Sequence, residues 1–320
     1  MVPFSIRKPR IAMMTNRITG ALSEPDDSRL FTLENAGGMA VTISERGGVL
    51  RSWRTPDRYG RMADVLLGGR DVSGGPSGAA PAARWQGRHA GGGVAMLLTA
   101  PGGRGDYRLD YRLDDDGSLT IDHHASARSA AALVPAPHPC FNLNGGSADI
   151  GDHMLRIGAD YYVEIDGAGT PVGVATVGGT PFDFRQPAPI GARLSWPDGQ
   201  TGAAGGFDNR FFVRAHRAGG QGALREAASV LDPGSGRCLR MYTTEAAVAF
   251  WAGKRRAMPG PAPAGASSAP AFGPDVFRLG PDALPNLASV AWPKVILRAG
   301  TVYRQTTVYR LSVQDQPDGG

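Results

Sequence analysis

The stretch at residues 107–113 constrains this chain more than any other. Tyr107, Leu109, Tyr111 and Leu113 alternate without a break with Arg108, Asp110 and Arg112. A period of two puts the apolar set on one face of an extended strand and the charged set on the other. That is the pattern of a half-buried strand in an antiparallel sheet. Asp114-Asp115-Asp116-Gly117 supplies a turn, and Ser118-Leu119-Thr120-Ile121-Asp122-His123 runs back, so a hairpin with a longer loop is expected here.

The same rhythm recurs along the chain. Gly37-Gly38 and Gly47-Gly48 separate short apolar runs around Phe31, Val41, Ile43 and Leu50. Val94-Ala95-Met96-Leu97-Leu98-Thr99 reads as a buried strand ended by Pro101-Gly102-Gly103. Tyr161-Tyr162-Val163-Glu164-Ile165, Phe211-Phe212-Val213, Leu239-Arg240-Met241-Tyr242-Thr243, Val248-Ala249-Phe250-Trp251 and a run from Val302 to Tyr309 are β-branched or aromatic, short, and bounded by turn residues. Gly and Pro, 46 and 25 of 320 residues, punctuate the chain at this frequency because many short strands need many tight turns. No amphipathic pattern sustains three helical turns. The expected fold class is therefore all-β, a large antiparallel β-sandwich.

Residues 1–28 read as a polar, basic tail and 316–320 as a C-terminal one, with a single domain over 29–315. Residues 73–83 and 258–271, rich in Gly, Pro, Ala and Ser, read as exposed loops. The net charge of +5 is spread over scattered arginines without a run of five like charges, so no nucleic-acid partner is expected. Two cysteines, Cys140 and Cys238, do not make a disulfide framework, and their separation does not make a metal knuckle. Without a secretory h-region or an 18-residue apolar run, the expectation is a cytoplasmic protein with no membrane partner, monomeric or homodimeric.

Across residues 31–313 the sequence resembles the aldose 1-epimerase (galactose mutarotase) family. The resemblance rests on Pro56-Asp57-Arg58-Tyr59-Gly60 with Asp64-Val65-Leu66-Leu67-Gly68, on His138-Pro139-Cys140-Phe141-Asn142-Leu143, and on Asp152-His153-Met154-Leu155. It continues through Gly179-Thr180-Pro181-Phe182-Asp183-Phe184-Arg185, Gly206-Phe207-Asp208-Asn209, Thr243-Thr244-Glu245 and Leu297-Arg298-Ala299-Gly300-Thr301-Val302-Tyr303. It implies a galactose mutarotase-like supersandwich. It also implies interconversion of the α and β anomers of a free aldohexose, with no cofactor or metal. One group takes the proton of the anomeric hydroxyl while another protonates the ring oxygen, so the ring opens, rotates and recloses.

By the same resemblance His138 is the catalytic acid at the ring oxygen, a task suited to an imidazole, and Asp208 binds the sugar hydroxyls. Two departures stand out. The family's base is a Glu near the C-terminus, and counting from the flanking motif puts Val276 or Phe277 at that position. Neither takes a proton, and Asp275 is the nearest carboxylate, so it is the expected catalytic base. Glu245 is the other carboxylate weighed, and it reads as structural. Secondly, a block that supplies an Arg and a His to the family's site is reduced to residues 69–84, and His89 reads as exposed loop. A carbohydrate-binding protein with impaired catalysis, and a sugar or sugar-phosphate epimerase of the same fold, are the alternatives.

Overall fold

The computed structural model describes residues 28–66, 85–99, 101–129, 131–132, 138–166, 171–214, 222–253, 276–282 and 296–314. The two tails, the loops expected at 73–83 and 258–271, and Asp275 lie outside the described residues.

The strands run β1 (Leu30–Glu34), β2 (Ala40–Ser44), β3 (Leu50–Pro56), β4 (Met62–Asp64), β5 (Gln86–Ala90), β6 (Gly93–Thr99), β7 (Gly105–Leu113), β8 (Ser118–Ala127), β9 (Ala131–Ala132), β10 (Cys140–Phe141) and β11 (Met154–Ile157). They continue with β12 (Ala159–Ile165), β13 (Pro171–Thr176), β14 (Ala188–Pro189), β15 (Gly206–Val213), β16 (Arg225–Leu231), β17 (Arg237–Thr243), β18 (Ala247–Gly253), β19 (Phe277–Asp282), β20 (Ile296–Leu297) and β21 (Val302–Val313). Among the described residues the helices are short, α1 (Ile190–Leu194) and α2 (Gly199–Ala204).

Two large antiparallel sheets carry the fold. A nine-stranded sheet has the order β14-β11-β16-β17-β21-β8-β7-β6-β5, and a six-stranded sheet the order β10-β19-β18-β15-β12-β13. The expected hairpin is β7–β8, with Leu113 opposite Leu119 and Gly117 at φ 81° in the turn, a conformation that glycine adopts without strain. Along β7 the tyrosines and leucines are buried and the arginines exposed, as the alternation requires.

The core lies between these sheets. Phe207, Phe211, Phe250 and Phe277 turn inward from the six-stranded sheet, and Leu119, Leu239, Met241 and Tyr309 from the other. Each ring or branched chain so buried contributes roughly 1.5–3 kcal/mol. Tyr309 donates its hydroxyl to the Leu279 carbonyl at 2.9 Å, tying β21 to β19 across the interface. Tyr111 likewise reaches the Gly48 carbonyl at 2.6 Å, joining the large sheet to the four-stranded sheet β1–β4. At the other side, buried Arg237 donates to the carbonyls of Pro56, Leu143 and Arg61 and so pins three connections at once.

Candidate active site

The inward phenylalanines decide what the opposite face of the six-stranded sheet presents. Because side chains alternate, burying Phe207, Asn209 and Phe211 on β15 turns Asp208 and Arg210 outward. Burying Val248 and Phe250 on β18 turns out Ala249 and Trp251, and burying Phe277 and Leu279 on β19 turns out Arg278, Gly280 and Asp282. The register aligns these in rows. Asp208 stands opposite Trp251, which stands opposite Arg278; Arg210 stands opposite Ala249, which stands opposite Gly280.

His138 completes the second row. Cys140 pairs with Arg278 and Phe141 with Phe277, so two residues further back the chain faces Gly280. The imidazole lies directly over that glycine: a Cβ at position 280 would sit 2.2 Å from His138 Cδ2. Nε2 is 2.8 Å from the Pro281 carbonyl oxygen. A carbonyl only accepts, so Nε2 carries the proton and Nδ1 keeps its lone pair. Burial lowers the pKa of this imidazole, and the charges of Arg278 and Arg210 add to the effect, against Asp282 and the Pro281 carbonyl, which raise it. The neutral form is therefore favoured.

His138 and Asp208 thus share one face. Their backbone positions are separated by three strand spacings, about 14 Å, and by one two-residue step, about 7 Å, but the imidazole reaches over Gly280 and so stands one strand nearer to Asp208. Trp251 stands in the first row between Asp208 and Arg278, with the Arg278 guanidinium 4.9 Å from its ring centroid. Arg210 Nε is paired with Asp282 Oδ2 at 2.9 Å, and both side chains are nearly buried. Asp282 is the carboxylate whose charge acts on His138.

Other expectations are placed differently. Phe277, one of the two positions counted for the base, is wholly in the core, stacked on Phe141 at 5.6 Å, so the strand presents Gly280 to the imidazole instead. Asn209 points inward and donates to the Val163 carbonyl. Glu245 is half-buried beside Tyr303, whose hydroxyl donates to its carboxylate, and burial raises its pKa. His89 is exposed but belongs to strand β5 rather than a loop, its ring edge-on to Phe31. Sequence reasoning missed Arg210, Arg278, Gly280 and Asp282. Their only signal was strand alternation, which needs the register to be known. Among the described residues no group of three or more His, Cys, Asp or Glu is arranged to hold a metal ion, and no helix is long and apolar enough to cross a membrane.

Comparison with known proteins fits this geometry. The family model described as aldose 1-epimerase matches residues 29–103 and 102–310. A galactose mutarotase from Bos taurus is 31% identical over 238 residues, covering 72% of this chain and 66% of its own length. An aldose 1-epimerase from Escherichia coli K12 is 28% identical over 297 residues, covering 75% and 83%. Among solved structures, an aldose epimerase homologue from C. elegans superimposes with a TM-score of 0.70 at 20% identity, over 90% of this chain and 100% of that one. A galactose 1-epimerase from Lactobacillus acidophilus gives 0.65 at 20% identity, over 93% and 98%. Order of motifs, sheet architecture and the extent of the family match agree: the chain belongs to the aldose 1-epimerase family.

Proposed function

We propose that this protein interconverts the α and β anomers of a free aldose by acid–base ring opening. His138 exchanges a proton with the ring oxygen, and Asp208 accepts hydrogen bonds from the hydroxyls of the same sugar. One observation carries the reading: the imidazole is clamped over Gly280 by Pro281, on the face that also bears Asp208. Ring opening needs a second group that removes the anomeric proton. Asp282 is the carboxylate whose charge acts on His138, and it is held by Arg210 at 2.9 Å. Asp275 is the alternative.

The test is NMR exchange or polarimetry on α-glucose and α-galactose, with wild type, H138A, D275N and D282N. Loss of a general acid or base costs roughly 100- to 10,000-fold. H138A and one of the two Asp variants are expected to fall by at least 100-fold. Equal rates with and without the wild-type protein would refute catalysis. The second reading, sugar binding without turnover, is favoured by the absence of any side chain at Gly280, directly opposite the imidazole. It predicts heat of sugar binding in a calorimeter with no rate enhancement.

A further inference from the structure

Arg278 is half-buried on the outward face of β19, and among the described residues it forms no ion pair. Its neighbour Arg210 is neutralised by Asp282, whereas Arg278 is stacked on Trp251. Taking a cation partly out of water is unfavourable unless something of opposite charge meets it. A guanidinium resting over an indole ring also has its planar fork of donors restrained, ready for a two-oxygen anion. The position adds a geometric constraint. Arg278 lies one two-residue step, about 7 Å, from Gly280, over which His138 is clamped.

We propose that this face takes an aldose carrying an anionic group, carboxylate or phosphate, on its exocyclic C6 arm, with Arg278 as the specificity-determining residue. The inference rests on the anomerisation reading for the placement of the sugar. With the ring oxygen at His138, C6 is bonded to the ring carbon next to that oxygen. Its substituent therefore falls within a few bonds of the imidazole, the distance at which a long arginine one step along the strand closes on it. Both a uronate carboxylate and a 6-phosphate present the paired oxygens that a guanidinium binds bidentately. Asp208, on the far side of Trp251, is left for neutral hydroxyls.

The experiment is titration calorimetry of the full chain with glucose, glucuronate and glucose 6-phosphate, beside exchange NMR of the same three sugars. Variants R278Q and R278K are run in parallel, with folding checked by circular dichroism. Wild type is expected to bind one or both anionic sugars at least tenfold more tightly than glucose. Comparison of the two assigns carboxylate or phosphate. R278Q is expected to bring that ratio to within about threefold of unity, and R278K to keep part of it, since the charge stays but the fork is lost. Glucose bound as tightly as both anions would overturn the inference, as would an R278Q variant that weakens all three sugars by one factor. If R278Q does not fold, the wild-type ratio decides alone. Anion preference without accelerated exchange of any sugar refutes catalysis and leaves this inference standing. Accelerated exchange of glucose without anion preference does the reverse.

Discussion

Replacing Gly280 by Ala is the sharpest perturbation the geometry offers. The new Cβ would lie 2.2 Å from His138 Cδ2, 2.6 Å from Cγ and 2.9 Å from Nε2. Carbon atoms rest at about 3.5–4.0 Å, so the ring must retreat by roughly 1.5 Å. The 2.8 Å bond to Pro281 does not survive that movement. The cost to folding is modest. Overpacking costs about 1–3 kcal/mol, while alanine in a strand recovers roughly 0.5–1 kcal/mol relative to glycine. The cost to chemistry is larger, since a misplacement of about 1 Å loses on the order of 100-fold in rate. G280A is therefore expected to unfold in urea within about 2 kcal/mol of wild type and to lose about 100-fold in anomer exchange measured by NMR. The His138 ring resonances should shift as the Nε2 proton loses its carbonyl. An unchanged His138 spectrum together with activity within threefold of wild type would refute the assignment of the imidazole to this position.

Other consequences can be measured independently. His123 and His153 are both buried with pKa values lowered to about 4, chiefly by desolvation, and His153 Nε2 accepts the Leu143 N–H at 3.0 Å. The folded state thus binds fewer protons than the unfolded one between pH 6.5 and 4, so this contribution is full above 6.5 and lost as pH falls. Each histidine removes about 2 kcal/mol between pH 7.5 and 5 by linkage, and urea melts of H153Q should show that much less pH dependence than wild type. Glu245, whose pKa burial raises, acts in the opposite sense, with stability lost as pH climbs above 4.5, so E245Q should steepen the loss on acidification. Arg237→Met removes three hydrogen bonds to backbone carbonyls, of which Leu143 keeps the Ser235 hydroxyl and Arg61 the Asp57 N–H, and should cost roughly 1.5–3 kcal/mol in the same urea assay. D208N keeps the shape of the side chain but removes its charge, and it should raise KM for a hexose about tenfold with a smaller change in kcat, read from exchange rates at varied sugar concentration.

The sequence by itself determined the β architecture. Alternation at Tyr107, Leu109, Tyr111 and Leu113 depends only on which side chains water excludes, and that property is local. The same holds for the turn at Gly117, and the ordered motifs around His138 and Asp208 already carried the family. Tertiary structure alone decided what faces the imidazole. Counting along one strand pointed to Val276 or Phe277, but which residue of β19 meets β10 is fixed by pairing between segments some 140 residues apart, and a slip of one residue exchanges the core face for the outward one. The register Cys140–Arg278 put Phe277 into the aromatic core, cleared a seat for the ring at Gly280, and brought Arg278, Arg210 and Asp282 onto the face with Asp208. Those charges are ordinary surface residues in the sequence. They share one outward face because two sheets bury their phenylalanines against each other and leave the alternate side chains nowhere else to point.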